Sequence, residues 1–350
     1  MNSIKALTVG VSTASLLLLA ACGSSTTTVG ADSTGGEADS TSSAEFPLTV
    51  EHAYGETVIE AAPHRVATVA WSNHEVPLAL GIVPVGMAEA AWGDDDGDGV
   101  LPWVETRLDE LDADTPVLFD ETDGIDFEAV ADTAPDVILA AYSGLSQEEY
   151  EQLSKIAPVV AFPEIAWGTS LSEMIRLNSE ALGLAEEGAA LVDRLDEQVA
   201  EAFGAHPELA GSSAVFTYLD PSDLSQIGFY TTHDTRPGFL LEAGMAAPEA
   251  VVEASAALDG FYTTVSAERA DELDDADLLI TYGDAEGELV AAMQADPLIG
   301  TIPAVRSGAV ATLVDSTPLA AMANPSPLSI PWGIEDYTAL LSDALTRGRD

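Results

Sequence analysis

The sequence predicts an α/β protein built as two lobes joined by a single long α-helix. Short apolar runs alternate with segments of helical spacing over residues 46–183, and again over residues 206–350. Such alternation is the pattern of parallel strands linked by crossover helices. Between the halves lies LAEEGAALVDRLDEQVAEAFGA, residues 184–205. It puts Leu184, Gly188, Leu191, Leu195, Val199 and Phe203 on one helical face, and Glu186, Glu187, Asp193, Arg194, Glu197 and Glu201 on the other. A helix of that length is a rod of about 30 Å. It is either an ordinary packed helix within one large domain or a strut between two lobes. A chain of 350 residues allows two domains, and we read it as the strut.

Composition narrows the function. Hydrophobic residues make up 47 % of the chain, enough for a sizeable core. Sixty acids against 11 bases give a net charge of −49, which excludes the basic surface that nucleic-acid binding needs. Lysine occurs only at Lys5 and Lys155. This is a solvated surface suited to high salt rather than a site. With one cysteine, Cys22, an internal disulfide is excluded.

Residues 1–21 read as an export signal. Lys5 precedes a short apolar run with small residues at its end, too short for a transmembrane span. Leu19-Ala20-Ala21-Cys22 resembles the lipobox of bacterial lipoproteins, which implies lipidation of Cys22 and cleavage before it. Residues 22–45, rich in Ser, Thr and Gly, read as a flexible tether. The folded part is therefore expected outside the cytoplasm, lipid-anchored to the cell membrane but not within it.

In the first half, LTVEHAYGETVIE suggests a strand or hairpin and RVATVAW a buried strand. HEVPLALG suggests a helix capped by Asn73 and stopped by Gly81. Strands follow at 84–87, 117–119, 136–141 and in PVVAFP. Helices follow in PWVETRLDEL, at 127–131 and in GLSQEEYEQLSKIA, and Ser170 with Glu173 forms a capping box for a helix ended by Gly183. Ligands of parallel sheets sit at the carboxyl ends of the strands. Those ends carry Trp71, Trp92, Phe119, Tyr142 and Trp167, an aromatic set suited to a ligand wall. In the second half, strands are expected at 214–218, 276–282 and 310–314, with helices starting near Arg236 and Val265, in ELVAAMQADPLI, and from Ser329 to the end. That alternation matches the first half.

Several stretches resemble one family. RVATVAWSNHEVPLALGIVPVGM, FEAVADTAPDVILAAYSG and YEQLSKIAPVVAF in the first half, and RPGFLLEAG, VSAERADELDDADLLITYG, DPLIGTIPAVRSGAV and SPLSIPWGIEDYTALL in the second, are similar in order to the iron-siderophore and vitamin B12 type of periplasmic binding protein. The resemblance implies a class III fold, two Rossmann-like lobes (46–183 and 206–350) joined by the helix 184–205. It implies the substrate-binding component of an ABC importer, working as a monomer with a permease and a separate ATPase, and no enzyme activity. The ligand would be a ferric siderophore, with haem or cobalamin as the runner-up. The siderophore would hold the iron itself, so no protein cofactor or metal ligand is expected. The strongly acidic chain points to a neutral or cationic hydroxamate complex rather than an anionic chelate.

Trp71, Trp92, Phe119, Tyr142, Tyr218, Tyr230 and Tyr262 are the candidate ligand faces, and Arg236 in THDTRPG the candidate contact to a ligand oxygen. Glu128 and Glu268, each near a helix start, fit the family's pattern of one glutamate per lobe that pairs with permease arginines. The same position is also favoured for a carboxylate by the helix dipole. Asp94, Asp96, Asp98, Gly99 and Glu105 fit the calcium-loop pattern D-x-D-x-D-G-x5-E, but Pro102 holds the ninth position, and we read the stretch as a solvated loop at the cleft edge. His74 and His233 lie near the expected cleft. With His52, His64 and His206 they form no metal-binding spacing. Phosphate-loop, nucleophile-elbow and zincin motifs do not occur.

Overall fold

The computed structural model describes residues 44–349. The expected signal segment, the lipidation site Cys22 and all but the end of the expected tether lie outside them.

The chain enters through a hairpin, β1 (Leu48–His52) and β2 (Gly55–Ile59), paired antiparallel with alternating burial. The first large sheet contains β3 (Val66–Thr68), β4 (Gly86–Ala88), β5 (Val117–Phe119), β6 (Val137–Leu139) and β7 (Val159–Val160). Its order is β5-β4-β3-β6-β7 and every pairing is parallel. β3 and β6 are buried at every residue, which is why they read as unbroken apolar runs rather than alternating ones. The direction of winding reverses between β3 and β6, so a crevice opens beyond their carboxyl ends.

The second sheet departs from the expected alternation. Its strands are β8 (Ala214–Asp220), β9 (Asp223–Tyr230), β10 (Tyr262–Ser266), β11 (Leu278–Gly283) and β12 (Val310–Val314), in the order β10-β9-β8-β11-β12. β8, β11 and β12 are parallel, whereas β9 runs antiparallel to both β8 and β10. Only Pro221 and Ser222 separate β8 from β9. So short a link makes a hairpin and leaves no room for a parallel crossover. The helix expected from Val265 is instead the end of β10, followed by a 3-10 turn at Ala267–Leu273.

Between the sheets run two helices, Leu171–Ala181 and Ala185–Gly204. The second matches the expected long helix, and Gly188, Leu191, Leu195 and Phe203 of the expected stripe are buried. The apolar core is continuous from Val137 and Leu139 of the first sheet, through Leu191, Leu195 and Phe203, to Phe216 and Ile280 of the second. The terminal helix Ser329–Arg347 packs on the same helix and adds Leu341 and Leu345 to that core.

Two capping expectations need correction. Asn73 does not cap a helix: His74 occupies the cap of Glu75–Ala79, without a side-chain bond. Ser170 accepts from the Glu173 amide, which is half of the expected box. The complete box is at Ser146 and Glu149.

Gly188 is where the two central helices touch. A Cβ there would lie 2.0 Å from Ser179 Oγ and 2.5 Å from Ser179 Cβ, so the helices approach as only glycine allows. Gly188→Ala is therefore expected to destabilise the fold by about 1–3 kcal/mol, despite the better helix propensity of alanine. Urea unfolding checks this, and Ser179→Gly in the same chain should recover most of the loss.

Candidate ligand-binding cleft

Each loop leaving the first sheet delivers a side chain to one crevice. After β3 the backbone enters the left-handed region at Ala70 (φ 61°) and Ser72 (φ 62°), on either side of Trp71. Asn73 holds this turn from below. Its Nδ2 donates to the carbonyls of Val69 and Tyr142 (both 2.8 Å), and its Oδ1 accepts from the Tyr142 amide and from Asn178 Nδ2 (both 3.0 Å). One buried amide thus ties the loops after β3 and β6 to a central helix. After β5, Glu121 accepts the Ala70 amide at 2.9 Å. Trp167 (φ 60°) stands edge-on to Tyr142, with ring centroids 5.4 Å apart. Its indole occupies the space beside Gly144, where a Cβ would lie 2.1 Å from Nε1.

The second lobe supplies the opposite wall. Asp234 caps the helix Thr235–Glu242 and also pairs with Arg236, Nη1 to Oδ2 at 2.9 Å. Arg236 Nε donates to the Tyr282 hydroxyl (2.9 Å), and the guanidinium carbon lies 4.6 Å from the Tyr230 ring centre. Burial works against the arginine's charge, but Tyr282 and Asp234 outweigh it and hold its pKa above the ordinary value. Asn324 Nδ2 donates across the cleft to the Tyr142 hydroxyl at 3.0 Å.

Two adjoining chambers result. One, of about 260 Å³, is bounded by Tyr142, Tyr230, Asp234, Arg236, Phe261 and Asn324. The other, of about 220 Å³, reaches His74, Glu89, Leu101, Asp120 and Glu121. Trp71, Trp92 and Trp167 line both. This is an apolar, aromatic cleft with few polar groups, the usual make-up of a small-molecule site.

The structure brings Trp71, Trp92, Tyr142, Tyr230 and Arg236 of the expected ligand set to these chambers. Tyr262 stacks edge-on behind Tyr230 (5.3 Å) and Tyr218 is half exposed on β8; neither lines a chamber. Phe119 is a correction. It is fully buried, with its ring against Gly86 of β4, because its place in β5 turns it into the core. Glu128 and Glu268 are exposed in the first turns of their helices. Asp94, Asp96 and Asp98 come within 4.8 Å of one another in an exposed loop. His233 bonds the Ser255 carbonyl and stays outside the two chambers.

Residues 66–317 match the family of periplasmic binding proteins. The chain belongs to that family. Its fold is similar to PiaA of Streptococcus pneumoniae TIGR4, an iron-uptake ABC transporter substrate-binding protein. One PiaA crystal structure is a complex with ferrichrome (TM-score 0.82, 43 % identity, covering 86 % of this chain and 99 % of that one). A second gives a TM-score of 0.79 at 42 % identity, covering 86 % and 100 %. Among curated proteins, the chain is 29 % identical to a probable siderophore-binding lipoprotein, YfiY, of Bacillus subtilis. That match covers 68 % of this chain and 66 % of the relative, just under two thirds of its length. Among the described residues, no helix is long and apolar enough to cross a membrane.

The seam below the cleft is closed by Glu75, a fully buried residue that sequence reasoning missed. Its Oε1 accepts Trp103 Nε1 (2.9 Å), and its Oε2 accepts the Leu328 amide (2.9 Å) and the Ser326 hydroxyl. Burial raises its pKa to about 7, against the pull of these donors. Glu121, also missed, is raised to about 7 by burial, against the Ala70 amide. Glu121 lies two residues beyond β5, so the rule that singled out the aromatics would have found it. Glu75 carried no sequence signal beyond an acid in an apolar segment.

A group whose folded pKa is raised favours the folded state when protonated. Stability linked to Glu75 is therefore full below about pH 4.5 and is lost as pH rises to about 7, a span worth about 3 kcal/mol. Glu121 acts in the same direction. His74 opposes them, since burial lowers its pKa to about 4 and the unfolded chain takes up that proton first as pH falls from 6.5. Glu75→Gln is expected to flatten the pH dependence between 4.5 and 7 relative to wild type, whatever its absolute stability. Denaturant unfolding across that range measures the difference.

Proposed function

We propose that this chain is the extracytoplasmic substrate-binding component of an ABC importer, holding a ferric siderophore of the hydroxamate class between its lobes. The observation that carries the reading is Arg236. It is fixed by Asp234 and Tyr282 over an aromatic wall, in a chain 43 % identical to a protein crystallised with ferrichrome, a trihydroxamate chelate. Its Nε and Nη1 are taken by protein partners, which leaves Nη2 for a ligand oxygen. Tyr142, Tyr230 and the three tryptophans pack on the chelate's organic shell. The iron stays in its hydroxamate cage. No bond is made or broken, and the protein's work is capture, orientation and release.

Release falls to partners. Glu128 and Glu268 stand exposed, one per lobe, and are free of ion pairs among the described residues. They suit arginines on a permease that reads both lobes at once, with a separate ATPase supplying the energy. The protein acts as a monomer, tethered through residues 22–45 to a lipid on Cys22 after loss of residues 1–21.

Adding ferrichrome is expected to quench tryptophan fluorescence at submicromolar ligand, with three indoles lining the site. Arg236→Ala should weaken binding tenfold or more. Flat titrations with ferrichrome and with a ferric catecholate would overturn the reading.

The double variant Glu128→Ala, Glu268→Ala should bind ligand as wild type does and lose most uptake in cells. Normal uptake would remove the docking role.

A further inference from the structure

The two chambers differ in charge. Arg236 stands in one, already neutralised by Asp234. The other presents Glu89, Asp120 and Glu121 and contains no arginine or lysine. Glu121 is the most enclosed of the three. Among the described residues it forms no ion pair, and its bonds are to the Ala70 amide alone. Glu149 adds repulsion, and burial lifts the carboxyl to about 7, as for an anion lacking its counter-charge. His74 does not supply that charge, because burial keeps it neutral. His74 Nδ1, buried in the same lining, also lacks a partner among the described residues.

The walls have a matching preference. Trp71, Trp92 and Trp167 separate the chambers and line both. Indole faces attract an ammonium group, the more so when water is excluded. A carboxylate among indoles is a receptor for a small organic cation.

We propose that the Glu121 chamber receives a primary ammonium arm of the bound chelate, so that the protein favours cationic hydroxamate siderophores over neutral ones of the same core. This rests on the siderophore reading above and narrows it. The metal-bearing core lies against Arg236 and the tyrosines, and the arm passes between the tryptophans to Glu121. The overall charge of −49 attracts any cation, but Glu121→Gln changes it by one unit and removes only the local contact.

The test uses two ferric chelates that differ at one nitrogen: ferrioxamine B, a linear trihydroxamate ending in a primary ammonium, and its N-acetylated form. Affinities come from tryptophan quenching of the full-length protein, with ferrichrome as reference. The wild type is expected to bind the ammonium form at least tenfold more tightly, and Glu121→Gln should bring that ratio close to one. Glutamine retains a carbonyl to accept the Ala70 amide, and a thermal melt checks its fold. Equal affinities in the wild type, or a ratio unchanged in Glu121→Gln, would each overturn the proposal. Ferrichrome binding without either ferrioxamine would overturn it too and leave the siderophore reading standing. Failure of every hydroxamate would overturn both.

Discussion

A carboxylate buried without a cation holds the seam of this protein. Glu75 belongs to the first lobe, yet two of its three hydrogen-bond donors, Ser326 and Leu328, follow the last strand of the second. Burying an ion is costly, and leaving it unpaired costs more. Glu75 is tolerated because donors fill its oxygens, and the cost becomes a constraint: those donors cannot leave without stranding the charge. The held segment also carries Asn324, which bonds the Tyr142 hydroxyl in the cleft. The spacing of the ligand walls thus depends on a group outside the ligand chambers.

Charge is treated differently at the surface and in the cleft. Outside, acids outnumber bases so far that the chain repels itself and stays solvated. Inside, Arg236 lies against Asp234 and Glu121 accepts one amide, while below the cleft Glu75 accepts from three donors. In a low-dielectric cleft a single fixed charge counts for more than many screened ones outside. Recognition in such a cleft therefore rests on a few fixed groups rather than on the acidic surface.

Much of this was legible in the sequence, and the failures have physical reasons. The first sheet read correctly because its strands, buried on both faces, leave unbroken apolar runs such as Val137–Leu139. The long helix read correctly because one face is apolar at a strict spacing. The second sheet was misread at β9, DLSQIGFY, whose polar outer half looks like loop. Its strand character comes from pairing with β8 and β10, which no local pattern encodes. Trp71, Trp92 and Tyr142 were found from their place beyond strand ends. Phe119 was not excluded by the same rule, because residues at a strand end alternate in direction and only Gly86 opposite reveals the inward turn. Glu75 and Asn73 act through contacts distant in sequence, with Leu328 and Asn178, and local pattern cannot see them.

The long helix now looks less like a free rod than like one side of a welded joint. A hinge needs a few residues able to change φ and ψ. Within Ala185–Gly204 such a change breaks backbone bonds and pulls Leu191, Leu195 and Phe203 from a core that continues into both sheets. At Gly188, the glycine in the interior of this helix, the contact with Ser179 leaves no room for sliding. Beside the helix, the bond from Thr235 Oγ1 to the Thr169 carbonyl (3.1 Å) and the Glu75 contacts resist separation at two further points. Core, helix and seam all oppose a wide swing of one wall of the cleft against the other.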